Sequence, residues 1–235
     1  MCEITIKVSC PHCHSPKVIK NGSKVGGPQN FLCKSCKKQF INNYRNKGAD
    51  PRVKHLITSM LLRNCGIRDI AVILRVCCKT VLGVLIRQGN LCRITPKKTH
   101  YQSVQVDGHW SCVGHKKKGK RWLIHAYAPE TGEVLAHVIG KRDTATVKKL
   151  YQLLKNIKID EFCTDQWKAF AHVFKKENHR SGKDLTRHIE GVNNGLRARN
   201  RRFVRKSTCF SKKDENHEAA IKIMFQQRNY AYHTF

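Results

Sequence analysis

Residues 101–107 read YQSVQVD and residues 162–165 read FCTD. The first stretch alternates, with Val104 and Val106 on one face, as a half-buried strand does. The second is a short apolar strand. Both end on an acid, Asp107 and Asp165. Outward from these, residues 121–128 (RWLIHAYA) and 133–139 (EVLAHVI) predict two further strands around the turn Pro129-Glu130-Thr131-Gly132. A basic tip, His115 to Arg121, precedes the first of them. Asp143 to Lys155 predicts a helix, with Val147, Leu150, Tyr151 and Leu154 at i, i+3, i+4 and i+7. A short helix after Asp165 repeats that spacing with Trp167, Phe170, Ala171 and Phe174. From Thr186 a helix carries Ile189, Val192 and Leu196 on one side and Glu190, Asn194, Arg197 and Arg201 on the other. A last helix spans roughly residues 213–229.

Three antiparallel strands, a helix, a strand and then helices make a mixed α/β layout. Acids at the ends of two neighbouring strands meet, and a third acid on a packed helix can join them. Three carboxylates repel one another unless a divalent metal bridges them. Mg2+ (or Mn2+) prefers such oxygen ligands together with water and phosphate. Two such ions, about 3.5–4 Å apart, activate an attacking hydroxyl and stabilise the leaving oxygen of an in-line phosphoryl transfer.

Charge points to the same substrate class. The 235 residues include 46 Lys or Arg against 16 Asp or Glu, a net +30. The chain is 40% hydrophobic, too apolar for a disordered basic tail. No run of about 18 apolar residues is present, and Met1 to Cys10 has no apolar signal segment, which argues against a membrane or secreted protein. A cytoplasmic, nucleoid-associated protein is expected. Such a charge predicts a polyanion, most often nucleic acid; an anionic membrane surface or simple solubility are the bland alternatives. Residues 1–100 carry 19 basic and 3 acidic groups, and residues 101–235 carry 27 and 13, so the basicity is no detachable tail.

The N-terminal segment has its own signature. Cys10-Pro-His-Cys13 and Cys33-Lys-Ser-Cys36 are two C-x2-C knuckles 19 residues apart, the pattern of a four-thiolate ribbon for one structural Zn2+. The other eight cysteines, Cys2, Cys65, Cys77, Cys78, Cys92, Cys112, Cys163 and Cys209, show no second ligand pattern and read as small buried hydrophobes. From Asp50-Pro51 the period turns helical, with Val53, Leu56, Ile57 and Met60 in one stripe. Residues 67–74 and 79–88 predict two more helices, joined at residues 75–78 and ended at Gly89. Two short helices so joined have the size of a helix-turn-helix, with Lys79, Thr80 and Arg87 as candidate DNA contacts. A plain three-helix bundle would read the same way.

The segments DGHWSCVG (107–114), CTDQWKAF (163–170) and TRHIEGVNNGLRARNRRFVRKSTCFSK (186–212) resemble the catalytic half of insertion sequence 1 family transposases. The ribbon plus helix-turn-helix resembles that family's DNA-binding half, in the same order. The reading frame is continuous across the linker, where the family often shifts frame. The resemblance implies a ribonuclease-H-like mixed sheet with flanking helices, and Asp107, Asp165 and Glu190 as a catalytic, metal-binding triad. It places Lys183, Asn193 and Arg197 on the family's pattern, with His179 and Thr186, as DNA or metal-proximal support. Arg201 belongs to the basic run 197–205, which reads as a phosphate track. Residues 178–183 (NHRSGK) stand where such a sheet has its fifth strand, yet lack apolar alternation.

The implied organisation is a zinc ribbon (1–46), a helix-turn-helix domain (47–92), a linker (93–100) and a catalytic domain (101–235). The implied activity is binding of terminal inverted repeats in a prokaryotic host, then strand cleavage and transfer into target DNA. Holding two ends asks for an oligomer, at least a dimer. Without the resemblance, an aspartate at a strand end is usually a turn or cap residue, and Glu190 an ordinary helix-surface group. A regulator with an inert C-terminal half, or a plain Mg2+-dependent nuclease, are the competing functions.

Overall fold

The computed structural model describes residues 7–23, 27–42, 44, 46–63, 65–115, 118–204 and 209–231. Cys2, residues 116–117 of the basic tip and Arg205 of the basic run lie outside them. The chain divides into two compact units: 1–60 with 67–84, and 61–66 with 85–235. Among the described residues no helix is long and apolar enough to cross a membrane.

In the first unit, strands β1 (Val18–Ser23), β2 (Gln29–Cys33) and β3 (Gln39–Ile41) form an antiparallel sheet in that order. Its small core holds Cys10, Cys33 and Phe40, with Phe31 stacked on Phe40 at 5.6 Å. Helix α1 (Pro51–Leu62) starts where expected: the Asp50 carboxylate accepts the Arg52 N–H at 2.8 Å. Helix α2 (Ile67–Leu74) ends in a left-handed residue, Arg75 (φ 52°). The Val76 N–H then returns to the Ala71 carbonyl and the Arg75 N–H to that of Val72, so arginine fills the place that glycine usually takes in this cap. Ile57, Ile70, Ala71, Val81 and Val84 are buried. Leu56, expected in the buried stripe, is 49% exposed.

The third helix, α3, runs from Cys78 to Leu91. Gly89 therefore does not end it. The unit boundary falls inside this helix, and Gly89 belongs to the second unit.

The second unit is built on a five-stranded sheet in the order β6-β5-β4-β7-β8. Strands β4 (His100–Cys112), β5 (Lys120–Ala128) and β6 (Glu133–Gly140) are antiparallel neighbours; β7 (Lys158–Thr164) runs parallel to β4, and β8 (His179–Ser181) parallel to β7. This is the mixed sheet expected, and it has the fifth strand that the sequence pattern left open. That strand escapes a pattern reading because it is three residues on the sheet edge, with Arg180 and Ser181 exposed. Helices α4 (Thr144–Leu154) and α5 (Lys168–Val173) bury Val147, Leu150 and Phe170 against Val104, Val106 and Ile124. Helices α6 (Arg187–Arg199) and α7 (Asp214–Ala231) bury Ile189, Val192, Ile221 and Phe225 with Leu123 and Tyr127 in a second core.

Gly89 lies against α7. A Cβ built on it would stand 2.5 Å from the Ala219 Cβ and 2.6 Å from its Cα. Its missing side chain serves a close helix approach, not a helix stop. Helix propensity alone says that Gly89→Ala gains about 1 kcal/mol. The clash with backbone says that it loses about 1–3 kcal/mol. We expect the loss, read as a lower urea midpoint; a raised midpoint would show that the two helices do not meet there.

Candidate active site and zinc centre

Parallel pairing of β4 on β7 ends at Val106 opposite Thr164. The next residue on each strand is an acid, Asp107 and Asp165. The reading of Asp107 as a strand end is corrected here: β4 continues to Cys112, because β5 pairs with it that far. Asp107 is instead the first residue of β4 beyond the reach of β7. The end of β7 is pinned from its other side. The Thr164 hydroxyl donates to the Asp165 carbonyl at 2.8 Å, and His179 Nε2 of β8 lies 2.7 Å from that hydroxyl. The Trp167 N–H donates to Asp165 Oδ1 at 3.0 Å, so the carboxylate is set by its own turn.

Helix α6 is fixed to the same strand at two points. Gln105 Oε1 accepts the Ile189 N–H at 2.8 Å, satisfying a first-turn donor that has no partner within the helix. Asn193 Nδ2, one turn later, donates to Asp107 Oδ2 at 2.6 Å. Glu190 lies between these two anchors in the first turn, where the positive end of the helix favours a carboxylate. Asp107 Oδ1 accepts the Gly108 N–H at 2.6 Å. Even so, burial, then the charges of Asp165 and Glu190, raise the Asp107 carboxyl to about 6; the N–H donors of Gly108 and Asn193 oppose that rise. The charges of Asp165 and Glu190 thus reach Asp107, but the carboxylate oxygens of the three do not all lie within 4.8 Å of one another.

The basic candidates divide. Lys183 is exposed in the 3-10 turn Lys183–Thr186 that leads into α6. Asn193 is 4% exposed, with its amide on Asp107, which places it in support of the carboxylate and away from the surface. Arg197 reaches Asn194 Oδ1 at 3.1 Å. Arg201 is corrected: it is not on the helix face that carries Glu190, because α6 ends at Arg199. Asn200 turns extended (φ −142°, ψ 102°) and its side chain caps a new 3-10 turn, Arg201–Phe203. On α3, Lys79 and Arg87 are exposed, while Thr80 is half-buried, its Oγ1 3.1 Å from Cys77 Sγ. Lys79 and Thr80 belong to the first unit and Arg87 to the second. Sequence reasoning missed Gln105. Its signal was a polar residue at strand period, two positions before Asp107.

The zinc centre is closer-knit. Among the described residues, Cys10, Cys13, Cys33 and Cys36 are the one group of three or more possible ligands with all ligand atoms within 4.8 Å. Cys10 and Cys36 Sγ lie 3.6 Å apart, as do Cys13 and Cys33. A tetrahedral ion about 2.3 Å from each sulfur sets neighbouring sulfurs about 3.8 Å apart. Each knuckle closes on a left-handed residue, His14 (φ 57°) and Lys37 (φ 59°), whose N–H returns to the first cysteine's carbonyl. Backbone N–H groups of Cys36 and Ser35 draw the Cys33 thiol down to about 6 against its burial. At Cys13 the Ser15 N–H draws downward, but burial and the neighbouring sulfurs of Cys36, Cys33 and Cys10 push the thiol up to about 12. Four thiols this close cannot all ionise without a cation among them.

Comparison with known proteins agrees with both centres. Residues 102–231 match the family model of the IS1 transposase, and residues 4–37 match that of the InsA N-terminal domain, a zinc ribbon. The chain belongs to the IS1 transposase family. It is 37% identical over 123 residues to the insertion element iso-IS1n protein InsB of Shigella dysenteriae, covering 52% of this chain and 93% of that one. It is 34% identical over 151 residues to an IS1 protein InsB of Escherichia coli K12, covering 64% of this chain and 90% of that one. An InsA-type ribbon and an InsB-type domain thus stand on one IS1-family chain.

The structural Zn2+ gives a direct check. We expect one zinc per chain in metal analysis, and its loss in Cys33→Ser together with protection of the ribbon amides from hydrogen exchange. Zinc-free protein with an intact ribbon would contradict the site.

Proposed function

We propose that this transposase binds the terminal inverted repeats of its insertion sequence and catalyses strand cleavage and strand transfer with Asp107, Asp165 and Glu190. The observation that supports this most is the strand register: it sets two aspartates at adjacent strand positions, and Glu190 on α6 acts on the first of them.

The donor set suits Mg2+ or Mn2+. It is all oxygen; burial first, and then the charges of Asp165 and Glu190, raise the Asp107 carboxyl, and a divalent cation relieves the repulsion among the three. Two such ions, held by the triad, would supply Lewis-acid activation of the attacking oxygen and stabilisation of the leaving one. The chain's own groups do the positioning. Asn193 holds Asp107 Oδ2, Gln105 holds the first turn of α6, and the Trp167 N–H holds Asp165. Water attacks the phosphodiester at the element's end and leaves a free 3′-hydroxyl. That hydroxyl then attacks a target phosphodiester, forming a new P–O bond as the target's own 3′-oxygen departs. Hydrolysis and transfer share one in-line geometry and differ only in nucleophile, so one site serves both.

Lys183, Arg197 and Arg201 would hold phosphates near the triad, and Lys79, Thr80 and Arg87 the terminal repeats. Ribbon (1–46), helix-turn-helix (47–92), linker (93–100) and catalytic domain (101–235) then act as one DNA-joining protein. Two ends held together require at least a dimer.

The test uses the gene's own flanking DNA as substrate. Asp107→Asn, Asp165→Asn and Glu190→Gln should each cut cleavage and joining by about 10²-fold or more while binding to the ends persists. Wild-type binding without any Mg2+-dependent cleavage would indicate a regulator, and cleavage without joining a plain nuclease. Joining that survives in any of the three variants would refute the triad.

A further inference from the structure

Arg142 lies between β6 and the Asp143 cap of α4. Its guanidinium carbon is 4.7 Å from the ring centroid of Trp122 and 5.0 Å from that of Trp167. Both distances are within cation–π range. The backbone N–H of Trp167 donates to Asp165 Oδ1. The Trp122 ring lies 3.5 Å from where a Cβ on Gly108 would stand, and Gly108 follows Asp107. The stack thus lies beside the backbone of both acids.

An exposed arginine in a chain of +30 is ordinarily a solvated charge. This one is held. Both indole rings lie within cation–π range of the guanidinium, an attraction that uses up none of its N–H donors. Among the described residues none of those donors has an acceptor, although the side chain is exposed. The neighbouring carboxylate of Asp143 is taken up by the Thr146 N–H and hydroxyl, at 2.9 and 2.7 Å. The charge therefore asks for an acceptor from outside the chain, and a planar fork of donors fits the paired oxygens of a phosphodiester.

We propose that Arg142 binds a backbone phosphate of the DNA strand that crosses Asp107 and Asp165, and so fixes the scissile linkage over the acids. This rests on the reading of the protein as a DNA-cleaving transposase. A phosphate bound there is tied to Asp165 through the residue Trp167, whose ring meets the guanidinium and whose backbone N–H holds the carboxylate.

The experiment compares full-length wild type with Arg142→Met and Arg142→Lys on a duplex of the gene's own flanking terminal repeat. Methionine keeps an unbranched side chain and removes the charge. Lysine keeps the charge and loses the flat, forked donor set. Single-turnover cleavage should fall at least tenfold in R142M and recover in part in R142K. The slope of log affinity against log salt should drop by about one in R142M, a change that a purely structural role would not produce. Thermal melting of R142M and R142K separates these effects from misfolding; if R142M unfolds, R142K alone must show slowed cleavage with its salt slope retained. Cleavage and salt slope unchanged in folded R142M would overturn the inference alone. A wild-type protein that cleaves no end DNA would overturn the underlying reading and the inference with it.

Discussion

The register of β4 on β7 is the constraint on which the rest of the catalytic unit depends. Val106 opposite Thr164 is the last parallel pair, and each strand delivers an aspartate at its next residue. A one-residue slip would send either side chain to the opposite face of the sheet. The register is protected accordingly. Val104, Val106 and Phe162 are buried in the core under α4 and α5, and β5 extends the pairing of β4 to Cys112. The edge strand β8 adds a third hold at Thr164 through His179.

The opposite face of β4 carries polar groups where an ordinary core strand would carry apolar ones. Gln105, His109 and Ser111 are all buried, and Asp107 stands among them. Buried polar groups are costly unless they are paired. Here Gln105 accepts from α6, Asp107 accepts from Asn193, and Ser111 lies 2.9 Å from His217 Nε2 of α7. The C-terminal helices are thus docked by hydrogen bonds at fixed points as well as by Ile189, Val192 and Phe225. This gives Glu190 a defined place, which an apolar interface alone, free to slide, would not. The same placement brings like charges together inside a protein that is otherwise strongly basic.

Much of this was legible in the chain. The alternation of residues 101–107, the turn at residues 129–132, the helical spacings of α4 and α5 and the two cysteine knuckles each rest on a local rule, and each element is present. Three features were not legible, for a common reason. The length of β4 depends on β5, the fifth strand on β7, and the continuation of α3 through Gly89 on Ala219. All are decided by partners distant in sequence, which override local propensity. Arg201 failed locally: a helix-period count ran past Asn200, whose side chain starts a new turn instead. Among the acids, Asp107 and Asp165 stood out at strand ends, but Glu190 was distinguished from an ordinary surface glutamate only by the family resemblance. Its physical mark, a place between the Gln105 and Asn193 anchors, exists only in the folded state.

The central claim is that Asp107, Asp165 and Glu190 form one charged site that a divalent cation completes. The most direct measurement is calorimetric titration of the wild-type protein with Mn2+ between pH 5 and pH 8, with Asp107→Asn beside it. A carboxyl raised to about 6 is largely protonated below that pH and must lose its proton before binding a cation. Tight binding is expected at pH 8, with affinity falling as pH drops through 6, proton release on binding that grows below that pH, and loss of the interaction in D107N. Binding that is flat across this pH range, or unchanged in D107N, would contradict it.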